Sequence, residues 1–169
     1  MPFTHFHLGP GVALKAIWPR QVSLLVFALC QLLIDLEPLY SVLHNEYPLH
    51  RFFHTLPGAT LIAMVGVFLG RYLGEFWLRL YNRKIAVLLT RPIIFSEHIT
   101  WRMAVVGALL GVSTHLFFDG MMHSDFNPLA PWSPWVGLQG VLTGGQIYQV
   151  CLLLGGLGVV VILVRWWRG

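Results

Sequence analysis

The residues equipped for chemistry in this sequence are histidines and carboxylates set at short, repeating intervals. His50 and His54 stand four apart in His-Arg-Phe-Phe-His-Thr. At the start of a helix that interval stacks both imidazoles on one face, within reach of a single ion. His115 and Asp119 repeat it, with His123 four further on and Gly120 a candidate helix end between them. Asp35 closes an apolar stretch, and Glu37 follows two residues later. His5 and His7, two apart, suit an extended segment whose alternate side chains meet one site, or equally a loose terminus.

Each pair alone is ordinary interfacial polarity. Taken together they are a ligand set, because ionisable groups near a membrane are costly unless they pair, face water or hold an ion. Neutral imidazoles with carboxylates suit Zn²⁺ first, and Mn²⁺ or Fe²⁺ less specifically. Such an ion lowers the pKa of bound water from about 15.7 to about 7 and polarises the bond under attack. The expected ligands are His7, Asp35, His50, His54, His115 and Asp119, around one or two divalent ions. Glu37 is the candidate catalytic base and Arg51 the candidate partner of a substrate anion, although Arg51 could instead pair with Glu46 or Asp35. His44 and Asp125, in polar loops, read as solvated.

The elements that must carry this cluster are apolar. The chain of 169 residues is 56% hydrophobic and only 11% charged, with a mean hydropathy of +0.68, so lipid is its natural solvent. Uncharged apolar runs cover residues 22–34, 55–70, 103–118 and 147–164. Only the last approaches the roughly 20 residues that cross a bilayer core unaided. The others reach that length if flanking turns are helical and Arg20, Arg71 and Arg102 snorkel. The expectation is a single all-α domain over residues 1–169, with four transmembrane helices and a short N-terminal re-entrant or interfacial segment. The first twenty residues lack the apolar core and cleavage site of a removable signal peptide. Cys30 and Cys151 fall inside predicted spans as buried, inert thiols. The bases are spread along loops without interleaved aromatics, so the partner is the lipid bilayer and no nucleic acid is expected; the oligomeric state is not legible.

Pro38 predicts that the first span ends between Asp35 and Pro38. The second begins near His50 and continues past Gly70 as a helix bearing Arg71, Glu75 and Arg79. Arg91 and Pro92 break the chain, and Ser96 caps a third helix running from Glu97 to about Asp119. Residues 120–145 form an irregular loop, with Trp132 and Trp135 near the headgroups. With these spans, ten of the eleven Lys and Arg residues fall on one side, which the positive-inside rule makes cytoplasmic. The opposite side holds seven of the eight histidines and five of the seven acids. The site is therefore expected at the extracytoplasmic face of a multi-pass membrane protein.

These residues resemble the membrane-bound metal-dependent hydrolases, the LexA-binding, inner-membrane-associated group, over roughly residues 5–134. The family's early histidine resembles His5 or His7, and its acidic pair at the end of the first span resembles Asp35-Leu-Glu37, an Asp-x-Glu where Asp-x-Asp is more familiar. Its His-Arg motif resembles His50-Arg51 with His54, one residue shorter between histidines. Its Gly-x-x-Ser-His-x-x-x-Asp run, followed by a proline-rich loop, resembles Gly111 to Asp119 and then Asn127 to Trp132. The order of histidines and aspartates is also similar to the zinc-dependent phospholipase C group, which implies a phosphoester substrate. A competing likeness, Lys84 and Arg91-Pro92 with His115 and Asp119 as parts of a lipid phosphate phosphatase signature, lacks that signature's Ser-Arg and Pro-Ser-Gly-His elements. The His-Glu-x-x-His sequence of zinc proteases is absent.

The resulting expectation is a membrane-bound metal-dependent hydrolase, with zinc first among the ions, acting on an ester or phosphoester of a lipid-like substrate. Two other classes fit the same residues: a non-enzymatic metal-binding or assembly factor, and a small transporter with a proton or cation path.

Overall fold

A computed structural model describes residues 5–85, 88, 94–135 and 138–168, with the backbone alone of His5. The described residues are helical, without a strand: α1 Leu8–Ile17, α2 Leu24–Leu43, α3 Leu56–Leu80, α4 Trp101–Met122 and α5 Gly144–Arg168. A 3-10 turn, His5–His7, leads into α1, a second, Phe52–His54, leads into α3, and a π turn, Tyr81–Ile85, prolongs α3. Four segments are long and apolar enough to cross a membrane: Leu24–Leu43, Leu56–Ile85, Trp101–Met122 and Gly144–Arg168. The fifth helix, α1, is the shorter apolar element expected near the N-terminus.

Local capping explains most helix starts. The hydroxyls of Ser23, Thr55 and Thr100 accept from the N–H groups of Val26, Gly58 and Met103 respectively, each answering a donor the first turn leaves unpaired. Before α5, Thr143 and Gln146 form a reciprocal box: Gln146 N–H donates to the Thr143 hydroxyl at 3.3 Å, and Thr143 N–H donates to Gln146 Oε1 at 2.9 Å.

Four expected boundaries are corrected. α2 runs through Pro38 to Leu43, since proline removes one backbone bond but a packed membrane helix tolerates the loss. The helix before residue 56 is replaced by the 3-10 turn, because Thr55, and not a residue near His50, caps α3. α4 starts at Trp101 instead of Glu97, since the backbone at Ile99 is committed to α3: its N–H donates to Glu75 and its C=O accepts from Arg71. Gly120 does not end α4, which continues to Met122. The expected break at Arg91 and Pro92 lies outside the described residues. The Arg71 guanidinium donates to the Ile99 carbonyl and lies 4.3 Å from the Trp101 ring centroid.

The core is built where α2, α3 and α4 cross, from Val26, Cys30, Ile34, Ile62, Ala63, Ala104, Ala108 and Val112. Lipid offers no hydrophobic drive for helix pairing, so close backbone approach has to supply it through van der Waals contact. Accordingly, a Cβ on Gly107 would meet the Ser23 carbonyl oxygen at 2.6 Å and one on Gly111 the Phe27 carbonyl oxygen at 2.9 Å. The same device lays α1 on α5, with Gly9 against the Cys151 carbonyl and Gly158 against the Ala13 backbone. Arg165 donates to the Ala16 carbonyl and fastens the far end of that pair.

Candidate metal centre

The candidate residues converge where α2 and α4 approach their C-termini and α3 begins. α2 supplies Asp35, the turn before α3 supplies His54, and α4 supplies His115 and Asp119 from successive turns. One ligand atom from each of these four buried residues lies within 4.8 Å of the others. Asp119 Oδ2 is the hub: His115 Nε2 stands 3.0 Å from it, His54 Nε2 3.5 Å and His50 Nε2 3.9 Å. Asp35 Oδ1 is 3.4 Å from His115 Nε2. His7, carried in by the turn before α1, places Nδ1 3.7 Å from the other Asp119 oxygen, Oδ1.

Most of these approaches are not formed hydrogen bonds. His54 Nε2, His115 Nε2, both ring nitrogens of His7 and Asp119 Oδ1 are buried without a hydrogen-bond partner. Each such orphan costs about 1–3 kcal/mol, and so many in one spot is unusual in a packed interior. The opposite ring nitrogens, by contrast, are held. Gln31 donates its amide N–H groups to the Gly111 carbonyl at 3.1 Å and to Thr114 Oγ1 at 3.2 Å. Its Oε1 must therefore accept from His115 Nδ1–H, 2.5 Å away, which leaves the lone pair of neutral His115 on Nε2. Glu37 likewise accepts from His54 Nδ1 at 3.2 Å. Held Nδ1 atoms, inward Nε2 atoms and two carboxylates match the donor set and outer shell that can hold a metal ion. Ligands of one ion at about 2.1 Å stand roughly 3–4 Å apart, so small side-chain rotations close the set.

Charge fits as well. Burial pushes His7 and His50 down to about 4, leaving both neutral as ligands must be. Burial would lower His54 too, but its contacts with Asp119 and Glu37 override that and raise it to about 9. The carboxylates thus draw a proton to the place a cation would take.

The structure brings together His7, Asp35, His54, His115 and Asp119, with His50 at the margin. His50 and His54 do meet, ring centroids 4.6 Å apart, but across a 3-10 turn and not along one α-helical face. Glu37 is occupied by three N–H donors, from Arg51, Phe53 and His54. Of the alternatives for Arg51, pairing with Glu46 is the one seen, at 2.7 Å. Its side chain also lines a cavity of about 320 Å³ with His50, Phe52, Thr55, Asn127 and Pro131. His44 is exposed, as expected. Asp125 is not a solvated loop residue: it accepts from Leu49 N–H at 2.7 Å and faces His50 Nδ1 at 2.8 Å. The His5 side chain lies outside the described residues. Gln31 was missed, although it is the sole polar residue between Ser23 and Asp35 and stands four before Asp35, on the same helix face.

These features define a helical bundle of membrane-spanning character with a buried His/Asp group able to hold a metal ion. No protein-family model, curated protein or solved structure matches the chain, so its function rests on this geometry.

Proposed function

We propose that the chain is a membrane-embedded metal-dependent hydrolase of the LexA-binding, inner-membrane-associated type, acting on an ester or phosphoester of a lipid-like substrate. The observation that carries this reading is the set of buried imidazole and carboxylate atoms around Asp119 that have no hydrogen-bond partner in the protein. Asp35, His54, His115 and Asp119 hold the ion, with His7 and His50 as the next donors. Zn²⁺ suits this set best, with Mn²⁺ or Fe²⁺ as alternatives. When bound, the ion supplies Lewis acidity and a nucleophilic water near neutral pH. Gln31 and Glu37 fix the rings of His115 and His54. The cavity beside His50 admits an apolar substrate, and Arg51 at its wall orients an anionic headgroup, so Arg51→Gln raises KM more than it lowers kcat. The basic residues at the other ends of the helices support a location on the extracytoplasmic side of the inner membrane.

The test is elemental analysis of detergent-purified protein alongside hydrolysis of a panel of phospholipid and lipid phosphate esters. The expected result is at least one equivalent of Zn, Mn or Fe with metal-dependent release of product, with one equivalent and the activity lost in His115→Ala and His54→Ala. Metal content below about half an equivalent, unchanged by those substitutions, overturns the reading. Bound metal without turnover on any ester points instead to a metal-binding or assembly factor.

A further inference from the structure

We propose that His50, His123 and Asp125 form a second divalent-cation site, distinct from the one around Asp119 and bordering the adjoining cavity through His50. Three elements build it. His50 comes from the loop before α3. His123 is the residue that caps α4 at its C-terminus, with extended backbone (φ −108°, ψ 129°) and its N–H on the Asp119 carbonyl at 3.0 Å. Asp125 follows in the next turn. One ligand atom from each lies within 4.8 Å of the others, and the His50 and His123 ring centroids are 4.1 Å apart.

The carboxylate is already aimed. Asp125 Oδ2 is spent on the backbone, accepting from Leu49 N–H at 2.7 Å and His50 N–H at 3.2 Å. That fixes the group so that Oδ1 faces His50 Nδ1 at 2.8 Å. That is the length of a His–Asp hydrogen bond; ligands of one tetrahedral ion with bonds of about 2.0–2.1 Å stand about 3.3 Å apart, so a displacement of about half an ångström lets the pair share an ion. His50 has a carboxylate near each ring nitrogen, Asp125 at Nδ1 and Asp119 at Nε2, and so lies between the two sites. Three protein ligands leave coordination positions open, the pattern of sites that meet substrate or water. His50 lines the cavity of about 320 Å³, so the site borders the space a phosphoester would occupy. The ligand chemistry, two imidazoles and one carboxylate, takes Zn²⁺ or Mn²⁺. The inference shares its face with the proposed hydrolytic site but needs no turnover to be true.

The experiment is metal stoichiometry of the full chain in detergent, after equilibrium dialysis against buffered free Zn²⁺, for wild type, His123→Ala, His115→Ala and the double variant. Two equivalents are expected in wild type, one in each single variant and none in the double. His123→Cys, which keeps a ligand, restores the second equivalent, and Co²⁺ substitution gives a visible spectrum that changes in His123→Ala while the His115-dependent band stays. A wild type holding a single equivalent that His115→Ala abolishes overturns the second site and leaves the first. Two equivalents unchanged by both His123→Ala and Asp125→Asn also overturn it. Loss of one equivalent in His123→Ala with no effect of His115→Ala supports the second site and sinks the first.

Discussion

Gln31 Oε1 lies 2.5 Å from His115 Nδ1, and because the Gln31 amide nitrogen is already committed to Gly111 and Thr114, this contact sets which nitrogen of His115 faces Asp119. A buried glutamine inside an apolar helix is costly unless satisfied on every side, and here each polar atom has a partner. Its function is positional. Outer-shell partners of ligating histidines typically contribute about 10–100-fold in metal affinity.

Gln31→Leu is therefore expected to weaken metal binding by about 10–100-fold, read by competition with a chromophoric chelator. The helix content should hold, since leucine fits an apolar helix. Unchanged affinity in a folded Gln31→Leu protein would show that the contact is incidental.

Glu37 distinguishes a base from a brace. Its two oxygens accept from the backbone N–H groups of Arg51 and Phe53 and from His54. Glu37→Ala leaves those donors unanswered at about 1–3 kcal/mol each, so it lowers the midpoint of thermal unfolding and metal occupancy together. A catalytic base would instead lose turnover with occupancy and stability intact.

The pH dependence of metal uptake follows from His54, raised to about 9, and from His7 and His50, lowered to about 4. Near neutral pH the metal-free protein carries a proton on His54 that an incoming ion displaces, while His7 and His50 have none to lose. Calorimetry in buffers of different ionisation enthalpy should find release of about one proton. Apparent affinity should rise about tenfold per pH unit and level off above the His54 value. Affinity flat from pH 6 to 9 would contradict this.

The α1 to α5 crossing positions His7. A side chain on Gly9 runs into the Cys151 carbonyl, so Gly9→Val must lift α1 and withdraw His7 from Asp119. Overpacking of this kind costs about 1–3 kcal/mol, measurable as reduced thermal stability with a spectral change in the Co²⁺-loaded site. A variant with wild-type melting and spectrum would place α1 elsewhere.

The sequence carried the helical architecture well. Four uncharged runs and their flanking turns correspond to the four long apolar helices, because burial in lipid demands composition that can be counted along the chain. Boundaries were less legible. Pro38 reads as a stop because it lacks an N–H, yet α2 continues past it. Ser96 reads as a cap, yet Ile99 is held against α3 and Thr100 caps instead. Both outcomes depend on neighbouring helices that no local window contains.

Side-chain type and interval were enough to nominate Asp35, His54, His115 and Asp119, since few residues bind metals and few polar groups are placed in apolar helices without purpose. What the fold alone decided is which atoms of those residues face inward. The 3-10 turn at Phe52–His54 sets the angle of His54, and Gln31 meets His115 across 84 residues of sequence. Asp125 reaches His50 from 75 residues away. Ligand identity is a property of single residues and can be read in order along a chain. Ring orientation is a property of hydrogen bonds between helices, and those partners are chosen only when the helices pack.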